Sequence, residues 1–172
     1  MILSTARLDL HPLPLPLIDA LLAADLETAR ALAPFPVEPH TFEGDEYVLR
    51  LRQIQLRDDP SELPWLFHAA VLCETGEVVA RCGFHAPPDA DGGVELGYRV
   101  QPQWRRRGLA TELATGMLSW AREQGATRCV ASTVPDNLVS QAVLAKLGFV
   151  RTGEWMDEVD GLEWVYALEL VR

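Results

Sequence analysis

The stretch Val94-Glu95-Leu96-Gly97-Tyr98-Arg99-Val100-Gln101-Pro102-Gln103-Trp104-Arg105-Arg106-Arg107-Gly108-Leu109-Ala110 decides how this chain folds. Residues 94–100 alternate apolar and polar, as a strand with one buried face does. Leu109, Leu113, Met117, Trp120 and Ala121 then recur at steps of four, four, three and one, which places them on one face of a helix ending near Gly125. A strand therefore runs into a basic, glycine-bearing turn and then a helix. At a helix start, unpaired N–H groups and the positive end of the macrodipole converge, so an anion can be held largely by main chain. Gly108 lets that anion approach without a Cβ in the way.

A run of three arginines also reads as a solvated basic loop. Composition weighs against that. The chain has 15 Lys and Arg against 25 Asp and Glu, a net charge of −10, so an isolated cationic cluster at a helix start stands out. Without an anionic ligand it opposes the helix dipole at a cost of about a few tenths of a kcal/mol. No G-x-x-x-x-G-K-[ST] and no G-x-G-x-x-G after a strand is present, which excludes the nucleotide-hydrolysing loop and the dinucleotide fingerprint.

Outward from this centre, residues 128–133 read as a strand and 138–147 as a helix capped by Asn137 and stopped at Gly148. Residues 149–155 and 163–170 are the last two strands, joined across Asp160-Gly161. Toward the N-terminus, residues 8–11 form a first strand, and Pro12, Pro14 and Pro16 keep the chain extended until Pro16 starts a helix over 17–32. Residues 33–43, with Pro34, Pro36 and Pro39, form a structured loop, or alternatively a polyproline ligand. Tyr47, Leu51 and Ile54 at i, i+4 and i+7 predict a helix over 46–57. Residues 65–73 and 77–84 predict a hairpin whose first arm is apolar on both faces, and 86–93 a loop. Strand pairs at both ends and a strand-helix-strand unit between them imply a mixed α/β sheet with helices on both faces.

At 172 residues the chain is the size of one domain, 1–172, with roughly two thirds of its unfolded surface buried. Its acidity argues against nucleic acid or an anionic membrane as partner, since both need a basic face, and is compatible with a cationic amine. Arg7 and Asp9 interrupt any apolar leader, and the longest charge-free apolar run, residues 63–73, is too short to span a bilayer. The expected location is the cytoplasm. Cys73, Cys82 and Cys129 have no C-x-x-C spacing, so neither a metal site nor a disulfide framework is expected. In the hairpin, Cys73 would face Val78 and Cys82 would face Ala69, about 13 Å apart along the strands, which leaves buried free thiols.

Arg105-x-x-Gly108-x-Ala110 after a strand resembles the acyl-coenzyme A signature Q/R-x-x-G-x-G/A of the GNAT superfamily of N-acetyltransferases. The opening Thr5-Ala6-Arg7-Leu8-Asp9-Leu10-His11-Pro12-Leu13 resembles the T-x-R-L-x-L-R-P-L of the branch that acetylates ribosomal-protein N-termini and assorted small amines, with His11 in place of an arginine. Asn137-Leu138-Val139-Ser140 with Leu144-Ala145-Lys146-Leu147-Gly148-Phe149 resembles that branch's N-x-x-S…L-x-K-L-G-F. The resemblance covers nearly the whole chain. It implies the acyl-CoA N-acyltransferase fold, a mixed, mostly antiparallel sheet with helices on both faces. It also implies acetyl-CoA as cosubstrate and a primary amine as acceptor.

By that resemblance the strand over 94–100 splays from the strand over 128–133, and the pantetheine arm lies in the gap. Main chain at Tyr98, Arg99 and Val100 pairs with pantetheine amides, Asn137 contacts the arm, and Arg105, Arg106, Arg107, Gly108, Leu109, Ala110 and Thr111 hold the pyrophosphate. Residues 30–45 and 155–163 shape the acceptor pocket.

Glu95 is the candidate base, on the expectation that partial burial raises its pKa; alternatively it only neutralises Arg99 or a cationic substrate. Ser140 is the candidate acid for the leaving thiolate, or a hydroxyl that caps the helix backbone. Some superfamily members carry a tyrosine where Leu144 stands. His85 is a further candidate base or a surface residue, and Tyr98, Trp104 and Trp155 line an acceptor pocket or pack in the core. A CoA-binding sensor or scaffold without catalysis is the alternative function, an interaction protein using the proline-bearing loop a third, and a homodimer is compatible with the sequence. The acceptor itself has no readable code: protein N-termini, amino sugars, polyamines, aminoglycosides and amino acids all remain open.

Overall fold

The computed structural model describes residues 2–157 and 161–170. Its eight strands are β1 Leu3–Ser4, β2 Leu8–Pro12, β3 His68–Leu72, β4 Val78–Phe84, β5 Gly93–Val100, β6 Arg128–Thr133, β7 Val150–Asp157 and β8 Gly161–Glu169. They form one sheet in the order β1-β2-β3-β4-β5-β6-β8-β7. Among the described residues every neighbouring pair is antiparallel except β5 and β6. The helices are α1 Leu15–Leu22, α2 Leu26–Leu32, α3 Glu46–Asp58, α4 Leu109–Glu123 and α5 Leu138–Lys146. Among the described residues, no helix is long and apolar enough to cross a membrane.

Side-chain alternation along the strands divides the interior into two cores. Ala70 and Leu72 of β3 join Leu8, Leu10, Phe84, Val94 and Leu96 under α4. Ala69 and Val71, pointing the other way, pack with Leu17, Ile18, Leu49 and Leu56 of α1 and α3. A strand sandwiched in this way is buried at every position, as β3 is. The predicted face of α4 is the observed one: Leu109, Leu113, Met117, Trp120 and Ala121 are all buried, each large side chain contributing about 1.5–3 kcal/mol.

The parallel contact between β5 and β6 is brief. Only Gly93, Val94 and Glu95 pair, with Arg128, Cys129 and Val130. Beyond Glu95 the strands part, while β5 stays hydrogen-bonded to β4 on its other side as far as Val100. Among the described residues, the main-chain groups that residues 97–100 turn toward β6 therefore have no strand partner, although such groups seek one.

Three expectations are corrected. The helix over 17–32 is two helices, because Ala24 takes a left-handed φ of 55° and Asp25 caps α2 by accepting from the Thr28 N–H. The helix over 46–57 exists, but it presents another face: Leu49, Arg52 and Leu56 are buried, whereas Tyr47 and Ile54 are each 64% exposed. Its sequence offers two stripes, and the buried one includes an arginine whose N–H groups donate to the Gln55 side chain and the His85 carbonyl. The β3–β4 hairpin carries an irregularity between Ala70 and Val71 that shifts its register. Arg81 then faces Ala69, Cys82 faces His68, and Cys73 falls outside the strand and is exposed, so only Cys82 and Cys129 are buried thiols. Of the predicted turn before β8, Asp160 lies outside the described residues.

Candidate active site

The turn before α4 leaves backbone donors open at the helix start. Gly108, the residue that caps α4, has φ 77°, in the left-handed region that favours glycine, and no side chain caps the helix start. The first helical hydrogen bond runs from the Glu112 N–H to the Gly108 carbonyl, which leaves the N–H groups of Leu109, Ala110 and Thr111 without helical partners. Arg106 also sits at a positive φ of 60°, costly for a residue with a Cβ. Its neighbours are spoken for. Arg105 Nε donates to the Val100 carbonyl at 3.2 Å, and the Arg107 guanidinium lies 4.5 Å from the centre of the Trp104 ring. Arg106 alone of the three makes no bond among the described residues.

A brace from the other end of the chain holds this turn. The Arg7 side chain donates to Glu112 Oε2 at 2.6 Å and to the Arg107 carbonyl at 3.0 Å. The Arg7 N–H and the Thr5 hydroxyl both donate to Glu112 Oε1 at 2.7 Å. Burial pushes the Glu112 carboxyl up, but the bonds from Thr5 and Arg7 outweigh it, and Glu112 titrates below the usual range. In the sequence Thr5-x-Arg7 stands only as part of a family motif. The signal was present, since a Glu in the first turns of a helix that receives arginines needs a partner of its own.

Where β5 and β6 part, a cavity of about 320 Å³ opens, lined among others by Gly97, Tyr98, Ser132, Asn137, Ser140 and Glu163. On one side of β5, Glu95 Oε2 lies 3.3 Å from His85 Nδ1, and the Ser132 hydroxyl donates to Glu95 Oε1 at 3.2 Å. The hydrogen bond with His85 holds the Glu95 carboxyl below its ordinary value, against the opposing effect of burial. The expected upward shift is thus overturned. Burial is only partial, and two neighbouring donors favour the ionised form.

On the other side of β5, the hydroxyls of Tyr98 and Ser140 are 3.1 Å apart. Ser140 does not cap its helix through its hydroxyl; Asn137 does the capping, its Oδ1 accepting from the Ser140 N–H at 3.1 Å. Burial raises the Tyr98 pKa, with the Ser140 bond partly opposing, so the phenol stays protonated at neutral pH. Leu144 is fully buried in the core. A tyrosine hydroxyl nevertheless reaches Ser140, from the strand instead of from the helix. That proximity was not readable, because Tyr98 and Ser140 belong to elements joined only by the fold.

The other candidates separate. Trp104 packs against the core and carries Arg107, while Trp155 stands 64% exposed on β7, the edge strand. His11 packs edge-on against Phe35 at 5.5 Å. His68 is fully enclosed, its Nδ1 3.0 Å from the Leu66 carbonyl, and burial lowers its pKa to about 4. Among the described residues no three His, Cys, Asp or Glu side chains are grouped as a metal site requires.

Residues 7–150 match the acetyltransferase (GNAT) domain. An uncharacterised N-acetyltransferase of Bacillus subtilis (strain 168), YjdG, is 28% identical over 171 residues, covering 96% of this chain and 98% of the relative. A putative ribosomal-protein-serine acetyltransferase from Vibrio cholerae superposes with a TM-score of 0.70 at 16% identity, covering 98% of this chain and 97% of that one. RimJ of Mycobacterium smegmatis, solved in complex with CoA-disulfide, superposes with a TM-score of 0.68 at 20% identity, over 98% of this chain and 87% of that one.

Proposed function

The chain belongs to the GNAT acetyltransferase family, and from that premise we propose that it moves an acetyl group from acetyl-coenzyme A to a primary amine by direct transfer in a ternary complex. The observation that carries this reading is the parting of β5 from β6 beyond Glu95, which opens a cavity with the turn at Gly108 past one end of β5 and two proton-handling pairs alongside it. The free N–H groups of Leu109, Ala110 and Thr111 hold the pyrophosphate, with Arg106 free to meet a further phosphate. Main chain of Tyr98, Arg99 and Val100 pairs with the pantetheine amides, and a strand N–H in the gap polarises the thioester carbonyl. Asn137 keeps its amide N–H group for the same arm while its oxygen caps α5.

Glu95 and His85 act as one base. A carboxylate held in its ionised form is a weak proton acceptor but a good partner for an imidazole, the side chain suited to proton exchange near neutrality. The pair takes a proton from the acceptor's ammonium; the freed nitrogen attacks the thioester carbon, and the C–N bond forms. When the C–S bond breaks, the Ser140 hydroxyl donates its proton to the thiolate and is resupplied from Tyr98, which regains a proton from solvent, while the nitrogen's second proton leaves to solvent through the Glu95–His85 pair. One proton in total is released to solvent for each acetyl group moved.

The test is thiol release from acetyl-CoA across a panel of amines, alongside the melting temperature with and without CoA. Amine-dependent release together with a CoA-induced rise supports the reading. A rise without release on any amine makes the protein a CoA-binding sensor, and no rise at millimolar CoA removes both.

A further inference from the structure

The resemblance gave residues 30–45 and 155–163 the task of shaping the acceptor pocket, and the structure brings parts of both next to one side chain. A cavity of about 360 Å³, bounded by Thr41, Asp45, Arg81, Arg99 and Gln101, adjoins the cavity that holds Gly97, Ser132 and Glu163, and Arg81 lines both. The two cavities differ in charge. Glu163 lines the second, with Glu95 beside it on the Ser132 hydroxyl, whereas Arg81 and Arg99 line the first.

The arginine end holds a surplus of positive charge. Arg81 Nε lies against Asp45 Oδ1 as an ion pair, and Arg99 reaches the same oxygen only at 3.5 Å. Two guanidiniums therefore share one buried carboxylate, whose pKa burial raises against the pull of both. Glu43 and His40, which also line this cavity, are exposed to water, where charges are screened. Arg99 is 45% exposed, and its other contact, to the Gly44 carbonyl, is long at 3.4 Å. Most of its fork is uncommitted.

The spacing along β5 sets the length of what fits. Glu95, Gly97 and Arg99 share one face of the strand, and a Cβ at Gly97 would lie 3.2 Å from His85 Nε2, so the imidazole lies over Gly97. From there to Arg99 is a two-residue step of about 7 Å. We propose that the acceptor of this enzyme carries a carboxylate as well as its reacting amine, and that Arg99, backed by Arg81, binds that carboxylate while the amine lies against His85 and Glu95. Two charges several ångströms apart fit a short peptide better than an α-amino acid, whose charges sit on one carbon. Of the two guanidiniums that line this cavity Asp45 offsets one, and the one left, on Arg99, matches a single carboxylate. Polyamines and aminoglycosides, cationic throughout, would bring positive charge against Arg99. This assignment rests on the acetyl-transfer reading.

The test uses acceptors in pairs: glycine, alanylalanine and trialanine, each as free acid and as C-terminal amide, with spermidine, kanamycin and O-phosphoethanolamine added. Binding to the CoA complex and thiol release are both measured, for wild type, Arg99→Ala and Arg99→Lys, each first checked for cooperative melting. The expected result is a peptide acid preferred at least tenfold over its amide, a preference abolished in Arg99→Ala and partly kept in Arg99→Lys. Equal use of acid and amide, a preference that survives Arg99→Ala, or a better response to a polycation or to the phosphorylated amine overturns the proposal. The CoA-induced melting shift of wild type without acceptor tests the underlying reading separately. Its absence fails both, whereas its presence with no acid preference fails this proposal alone.

Discussion

In the turn between β5 and α4, the groups proposed to hold an anion come from one continuous run of chain, whereas on the opposite side Asp45, Arg52, Arg81, His85, Glu95 and Arg99 converge from α3, β4, β5 and the loops beside them. The first region works mainly through backbone: a left-handed glycine, a strained arginine and helix N–H groups with no helical partner. The second works through side chains, and each depends on a partner distant in sequence. A backbone site tolerates variation in its side chains but not in the one position where a Cβ intrudes. A side-chain site should fail residue by residue, and in pairs.

The sharpest way to break that contrast is Gly108→Glu, which places a side chain and a negative charge where the pyrophosphate is proposed to sit. CoA at a hundredfold excess over its wild-type Kd should stabilise the protein by about 2.7 kcal/mol. In the variant that shift should fall close to zero, read as the CoA-dependent change in melting temperature. Gly108→Asn, which tolerates the left-handed region, separates strain from charge and should retain part of the shift. A full shift in Gly108→Glu would mean that the phosphates bind elsewhere.

The paired side chains come next. Glu95→Gln and His85→Gln should each lower kcat by about 10², as loss of a general base does. If the two act as one, the double variant should be little worse than the more damaged single one. Normal turnover in Glu95→Gln would sink the base assignment. Stability gives an independent reading of the same pair. Because the folded Glu95 titrates below its unfolded value of 4.5, its contribution to folding is complete above that pH and is lost as the pH falls through the lower folded value. Glu95→Gln should therefore lose less stability on acidification than wild type.

What could be read from the sequence divides along the same line. The turn, α4 and β6 were legible because strand alternation, helical spacing and a glycine are local signals, and the observed bounds of β6 are the predicted ones. The face of α3 was misread because Tyr47, Leu51 and Ile54 form as regular a stripe as Leu49, Arg52 and Leu56, and nothing local says that a buried arginine will find the His85 carbonyl. The sign of the Glu95 shift was misread for a related reason. Burial can be guessed from alternation, but the bonds from His85 and Ser132 that outweigh it cross between elements.

A smaller effect is expected at the hydroxyl pair. Ser140→Ala and Tyr98→Phe should lower kcat by about tenfold with little change in the KM for acetyl-CoA, since donation to the thiolate strengthens only as the C–S bond breaks. If Tyr98 works through Ser140, Tyr98→Phe should add nothing in a Ser140→Ala background. A drop in Tyr98→Phe with none in Ser140→Ala, or a further drop when Tyr98→Phe is added to Ser140→Ala, would make the phenol the direct donor.

The smallest expected effect bears on whether the turn is as local as it looks. Arg7 reaches the Arg107 carbonyl and holds the Glu112 carboxylate in the first turn of α4, where an unpaired negative charge would oppose an incoming phosphate. Arg7→Ala leaves every group of the turn itself in place, so a strictly local site would bind CoA normally. If the brace preorganises the turn, the variant should weaken CoA by about tenfold, or 1.4 kcal/mol. The charge component can be isolated. In Arg7→Ala/Glu112→Gln the repelling carboxylate is gone, and most of the lost affinity should return, with a weaker dependence on salt than in the single variant. If affinity instead stays low in the double variant, the missing bond to the Arg107 carbonyl is what matters, and Arg7 acts by holding the backbone of the turn.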